Sequence, residues 1–219
     1  FFFHADAGIR DPLWSRGLGD VYKRQVHTSG DFNIQKLLEF SEGACEKAIK
    51  SLKEGAPILT DTDMAAAAIK SMAKNTSGNS VLSAKSWFNE KDLLGLTKTA
   101  YGIEKGWIEL SSKNLGVKSP IVVIGSSPTA LVNLLDILKN SRQIPSLIIG
   151  MPVGFIGVRQ SKEKLLKTNY PRIVVNSTRG GAAMAAAAVN ALLRAVSYTH
   201  LRAHETREEL VCRLLLEKK

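Results

Sequence analysis

The sequence predicts an α/β protein built on one doubly wound, mostly parallel sheet with helices on both faces. Three observations predict it. Short β-branched runs (Ile121-Val122-Val123-Ile124, Leu147-Ile148-Ile149 and Ile173-Val174-Val175) end abruptly at Gly125, Gly150 and Asn176. Helical patterns alternate with these runs, as buried parallel strands require. Glycines gather where the strands stop, in the stretch Ser146 to Leu192 above all. In open α/β sheets ligands bind at such carboxyl ends, where glycine admits close backbone approach and the next helix start offers unpaired N–H groups.

Each element follows in order. Val26-His27-Thr28-Ser29-Gly30-Asp31 opens the patterned region. Phe32, Ile34, Leu37, Leu38, Phe40, Ala44, Ala48 and Leu52 then form an amphipathic helical pattern, with a break near Gly43. Gly55-Ala56-Pro57 ends it, Ile58-Leu59 is a short strand, and Thr60-Asp61-Thr62-Asp63 supplies caps for an Ala-rich helix from Met64 to about Ala73. Thr76 to Ser80 is a polar turn before a weak strand, Val81 to Ala84. Leu93 to about Leu110 reads as one or two helices. After Ile121–Ile124, Ser127 suits the N-cap and Pro128 the first position of a helix that runs to about Lys139. Leu147–Ile149, a Gly/Pro loop, a Lys-rich helix near Ser161–Lys167, Ile173–Val175 and an Ala-rich helix from Gly181 complete a three-layer, Rossmann-like arrangement. No solenoid-length repeat or domain-scale linker interrupts it.

Composition bounds the function. The chain has 219 residues, 44% of them hydrophobic, with 30 Lys and Arg against 20 Asp and Glu, a net charge of +10. That is enough apolar material for one well-filled domain. No apolar run reaches the ~18–20 residues needed to span a bilayer, and no signal peptide is evident. Cys45 and Cys212 form neither a disulfide framework nor a CxxC metal pair. A soluble, cytoplasmic protein is the expectation. The two ends, residues 1–25 and 197–219, lack the strand–glycine–helix pattern and resemble translated sequencing-adapter read-through, so the expected domain is 26–196, with its native N-terminal part displaced. Over that span 21 basic and 13 acidic residues give +8, and His27 is the one histidine.

Three glycine-bearing loops follow strands: Gly125-Ser126-Ser127, Gly150 to Gly157, and Thr178-Arg179-Gly180-Gly181. Together they imply a donor-rich concavity for an anionic ligand; singly, each could merely turn a strand into a helix. No GxGxxG stands at a strand-to-helix junction and no GxxxxGK[ST] occurs, so nucleotide fingerprints are absent. His27 is the side chain suited to proton transfer near neutrality, or else a structural or exposed histidine. Thr28, Ser29 and Asp31 could orient it or cap the next helix. With one histidine and one cysteine in this span, neither a Ser-His-Asp triad nor a metal cluster can be built. Arg179 beside Gly180-Gly181 could grip a carboxylate bidentately or be a solvated loop cation. Lys98, Arg159, Lys162 and Lys164 could add a basic rim. The positive balance fits a polyanion; against nucleic acid stands the lack of a binding motif or of aromatics interleaved with the basic residues.

The span from Val26 to about Val196 resembles the precorrin-8X (cobalt-precorrin-8) methylmutases. The matching motifs are Val-His-Thr-Ser-Gly-Asp (26–31), Gly-Ala-Pro-Ile-Leu-Thr-Asp (55–61), Gly-Ser-Ser-Pro-Thr-Ala-Leu (125–131), Gly-Met-Pro-Val-Gly-Phe-Ile-Gly (150–157), Ser-Lys-Glu (161–163) and Arg-Gly-Gly-Ala-Ala-Met-Ala-Ala-Ala-Ala-Val-Asn-Ala-Leu (179–192). The resemblance implies an isomerase of corrin biosynthesis that moves a methyl group from C-11 to C-12, without a cofactor or metal, and works as a homodimer. It places the catalytic general acid at His27. It places contacts to the tetrapyrrole polycarboxylate at Asp61, Lys98, Gly125, Ser126, Ser127, Thr129, Gly154, Phe155, Arg179, Gly180 and Gly181. Lys98 stands where the pattern leads one to expect arginine, and Ala182 where a small hydroxyl residue often follows the glycine pair. A non-catalytic binder of tetrapyrroles or other polyanions is the alternative of a different class.

Overall fold

A computed structural model of the chain describes residues 16–88, 95–112 and 119–197. Helix α1 (Arg16–Ser29) leads through a 3-10 segment, Phe32–Leu37, into β1 (Leu38–Phe40). Then follow α2 (Ala44–Lys53), β2 (Ile58–Thr60), α3 (Asp63–Asn75), β3 (Val81–Ser83), a 3-10 turn at Ala84–Trp87, and α4 (Lys98–Ser112). The second half is β4 (Ile121–Ile124), α5 (Pro128–Leu138), β5 (Leu147–Gly150), α6 (Val158–Leu166), β6 (Arg172–Val175) and a last helix, α7, over residues 182–197.

The six strands lie in the order β1-β6-β5-β4-β2-β3. All pairs are parallel except β1 with β6, where Leu38 sits opposite Val175 and Phe40 opposite Ile173. The chain winds outward from β2 to β3 and then back across to β4, β5 and β6. The switch point of the parallel sheet therefore falls between β2 and β4, the place where such sheets open a crevice.

Period-two alternation sorts the strand residues onto two cores. Ile58, Ile121, Val123, Leu147, Ile149, Ile173 and Val175 face α1, α2, α3 and α7; Leu59, Val122, Ile124, Ile148 and Val174 face α4, α5 and α6. All of these strand side chains are fully buried, which explains why the strands read as continuous apolar runs. The fold class expected from sequence holds.

Two local expectations are corrected. The pattern from Phe32 to Leu52 is not one broken helix. Leu38–Phe40 instead adds an antiparallel edge strand, anchored by Asn176 N–H donating to Leu37 O (2.7 Å) and Ser41 N–H to Arg172 O (3.0 Å). Three apolar residues at i, i+1 and i+3 fit a short edge strand as well as a helix turn, so periodicity could not separate the two. The domain also does not begin at Val26. Residues 16–25 belong to α1, with Val21 and Gln25 fully buried and Gln25 Nε2 donating to Met184 O on α7 at 2.7 Å. For residues 16–25 the expected separation from the core does not hold; residues 1–15, the expected helix start at Leu93, and residues 198–219 lie outside the described residues.

Two glycine substitutions test this packing. A Cβ on Gly180 would lie 2.1 Å from Met151 O, a backbone atom that cannot step aside. Gly180→Ala should therefore lower the unfolding free energy by about 3 kcal/mol in urea titrations. Gly19, inside α1, has no neighbour within 4 Å, so Gly19→Ala should raise stability by about 1 kcal/mol. A null result at Gly19 would mean that the first half of α1 does not share the cooperative unfolding of the domain.

Candidate active site at the carboxyl edge of the sheet

The loops that leave β2, β4, β5 and β6 share one edge of the sheet, and the structure brings most of the sequence-predicted residues together there. Asp61 immediately follows β2 at the switch point and is 2% exposed. Its Oδ2 accepts hydrogen bonds from the amides of Ser126 (2.6 Å) and Ser127 (3.0 Å) at the end of β4. Burial pushes the Asp61 carboxyl above the ordinary aspartate value, while these amides pull it back part of the way. The first glycine loop is thus not an open donor nest: its amides are already satisfied by a carboxylate of the same chain.

That loop presents hydroxyls instead. Ser127 Oγ caps α5, accepting from Ala130 N (3.2 Å), and also accepts from Thr99 Oγ1 at the start of α4 (2.9 Å). Thr129 Oγ1 lies 2.9 Å from both Ser127 Oγ and Thr97 Oγ1. Thr97 and Thr99 were not among the residues expected from sequence; two threonines flanking Lys98 at a helix start were the available signal. Beside this network a cleft of about 300 Å³ is lined by Asp61, Thr62, Asp63, Lys85, Phe88, Lys98 and Thr99. The Lys98 ammonium sits 4.8 Å above the centre of the Phe88 ring, a cation–π distance. Lys85 pairs with Asp63 at 3.1 Å.

The second and third glycine loops are stitched to each other and to the first. Gly181 N donates to Met151 O (2.8 Å) and Gly154 N to Thr178 O (3.3 Å). A Cβ on Gly125 would fall 2.7 Å from Ala182 Cα. The close approach that Gly125 and Gly180 allow is therefore of backbone to backbone. Phe155, by contrast, is 95% exposed on the loop after β5, beside Ile156 at 90%.

Arg179 does not stand as a free cation. Its guanidinium meets the Asp31 carboxylate, whose pKa this hydrogen bond lowers, with Asn33 N adding to it. The pair ties the third glycine loop to the segment after α1, four residues on from His27. His27 is exposed on the last turn of α1 and does not line the cleft of Asp61 and Lys98. It lines a separate groove of about 340 Å³ with Asp20, Lys23, Arg24, Ala191 and Arg194. Of the expected basic rim, Lys162 is misplaced: it is fully buried, while Arg159 and Lys164 are exposed. Its position on α6, between Val158 and Leu165 on the inward stripe, was readable from the spacing. Among the described residues no group of three or more His, Cys, Asp or Glu side chains is placed to hold a metal ion. No helix among them is long and apolar enough to cross a membrane.

A doubly wound α/β fold with hydroxyls, cations and a buried carboxyl at its carboxyl edge, and an exposed histidine in a separate groove, has the form of an enzyme that takes a small-molecule ligand. The sequence family described as Precorrin-8X methylmutase matches residues 3–195. The chain is 37% identical over 171 residues to the Pseudomonas aeruginosa protein named Precorrin-8X methylmutase, covering 77% of this chain and 80% of that one. It is 33% identical over 173 residues to the Methanocaldococcus jannaschii Cobalt-precorrin-8 methylmutase, covering 79% and 77%. The crystal structure of the Thermus thermophilus precorrin-8X methylmutase superposes with a TM-score of 0.72 at 29% identity, over 84% of this chain and 89% of that one. The chain belongs to the precorrin-8X methylmutase family, isomerases of cobalamin biosynthesis.

Asp61 is the site residue whose structural role is testable alone. Asp61→Ala strands two amides and should cost about 2–3 kcal/mol of stability; Asp61→Asn keeps an acceptor and should cost about 1 kcal/mol. The sign of the pH effect follows from the raised pKa. The native carboxyl holds its proton above the ordinary 3.8, so this group makes stability fall as pH rises from 3.8 through the raised value. Urea titrations across that window should show the decline in wild type and lose it in Asp61→Asn.

Proposed function

We propose that the chain moves a methyl group from C-11 to C-12 of precorrin-8X or its cobalt form, with His27 as general acid. In this reading the bond from methyl to C-11 breaks as the bond to C-12 forms, and the ring double bonds shift to compensate. No electrons are gained or lost, so no redox partner is needed. Protonation of a ring nitrogen draws electron density from the migrating centre, and the proton returns to the histidine afterwards. The observation that supports this role is the placement of His27. It is exposed on a helix end that is anchored on one side by the buried Gln25 and on the other by the Asp31–Arg179 pair. It is also the one histidine among the described residues.

The remaining assignments follow the same reading. Arg179 and Lys98 meet carboxylate arms of the tetrapyrrole. Ser127 and Thr129 offer hydroxyls. Asp61, Gly125, Ser126, Gly154, Gly180 and Gly181 shape the loops, and Phe155 packs on the apolar ring. The exposed Phe155 and Ile156 also support a homodimer, and the family reading puts the enzyme in the cytoplasm. The cationic core supports a polycarboxylate substrate whose binding weakens with salt.

His27→Ala should lower turnover of precorrin-8X by ~10²–10⁴-fold while leaving product binding largely intact, and His27→Asn should be nearly as slow. Rearrangement by His27→Ala at close to the wild-type rate would overturn the assignment. Arg179→Ala should instead weaken binding by about tenfold, the size of one charge-assisted hydrogen bond. Titration of the product by its visible absorption separates the two effects.

A further inference from the structure

Lys162 is a lysine buried completely in the middle of α6. Burying an ammonium is costly, and an apolar residue at this inward position would pack without that cost. Its Nζ donates to Ser177 O at 2.7 Å and to Arg179 O at 2.5 Å. The carbonyl between them, Thr178 O, accepts from Gly154 N. Three successive carbonyls of the loop after β6 are therefore turned toward the protein and satisfied there. Carbonyl oxygens are the backbone groups that repel an anion, and here each is engaged by a donor of the chain itself.

We infer that Lys162 is a positioning residue of the site: its ammonium fixes the carbonyls of Ser177 and Arg179, holding Arg179 and Gly180-Gly181 in the shape that receives a ligand carboxylate. The inference rests on the carboxylate-bearing substrate proposed above. Lys162 itself touches no ligand; it acts through the loop. Burial lowers its pKa to about 8. The charged groups on the elements packed around it are Asp136 of α5, Arg159, Glu163 and Lys164 of α6, Arg172 of β6 and Arg179 of the loop; burial is the cause of the lowering. Above that pH the ammonium loses its charge, and its hold on the two carbonyls weakens.

The test is equilibrium binding of the methylmutase product, with wild type and Lys162→Met compared from pH about 7 to about 9.5, a range over which free carboxylates do not titrate. Wild type should bind about tenfold more weakly at the upper end, the loss of roughly one charge-assisted bond. Lys162→Met should bind that weakly at every pH, with cooperative unfolding retained. Tight binding by folded Lys162→Met at pH about 7, or wild-type affinity that is flat across the range, would overturn the proposal. If Lys162→Met does not fold, the wild-type series decides alone. A wild type that binds no corrinoid even at the lower pH would refute the substrate reading instead. Amide exchange at residues 178–181 then decides for Lys162. In wild type, protection beyond the intrinsic base-catalysed trend should fall across pH about 8, and unchanged protection would refute the role.

Discussion

Asp61 lies where the two halves of the parallel sheet part, and its carboxylate supplies an acceptor that neither half has to spare. The amides of Ser126 and Ser127 leave β4 with no strand or helix partner of their own, and both donate to Asp61 Oδ2. Everything beyond them hangs on that arrangement. Ser127 caps α5, the Thr99 hydroxyl reaches Ser127 from the start of α4, and Thr129 and Thr97 close the circle. The carboxyl is costly to bury, as its raised pKa records, yet its removal would leave a helix cap and the cleft wall without a fixed origin.

From that origin the edge is assembled by backbone contact more than by side-chain contact. Gly125 lies against Gly181 and Ala182, and Gly180 lies against Met151, so the loops after β4, β5 and β6 form one fused surface. A surface held this way is preorganised: binding need not first order three separate loops. The tip of the β5 loop, Phe155 and Ile156, stays exposed beside it.

Much of this was legible in the sequence, for identifiable reasons. The central strands announced themselves because both faces of the sheet are covered, which leaves runs such as Ile121–Ile124 without a polar residue. Ser127 and Pro128 marked a helix start through capping chemistry that depends on local geometry alone. β1 was hidden because a three-residue edge strand is too short to have a period. Residues 16–25 were set aside because they lack the strand–glycine–helix pattern and resemble adapter read-through, and neither ground registers that Val21 and Gln25 are buried, with Gln25 bonded to α7. The glycine loops were visible, but what they approach was not, since contact between distant backbones leaves no trace in local spacing. Asp31 as the partner of Arg179 is of the same kind: the residues are far apart in the chain, and only the return of β1 alongside β6 brings their loops together.

The two buried ionisable side chains of this edge, Asp61 and Lys162, complete the logic by opposite means. The acid takes up the spare amides of the loop after β4, and the base takes up the spare carbonyls of the loop after β6. Each removes from the surface the backbone groups that would otherwise set its polarity. What remains on the first loop is a row of neutral hydroxyls, and on the third a guanidinium with its own carboxylate partner. The site therefore joins a hydroxyl network flanked by the Lys98 ammonium on one side to the Arg179–Asp31 ion pair on the other. Under the proposed function a substrate carboxylate would meet Arg179 beside Asp31, and the interior is left undisturbed because its buried charges are bound to backbone and not to the ligand. Carboxylates of the tetrapyrrole would, under the proposed function, meet Lys98 on one side and Arg179 on the other.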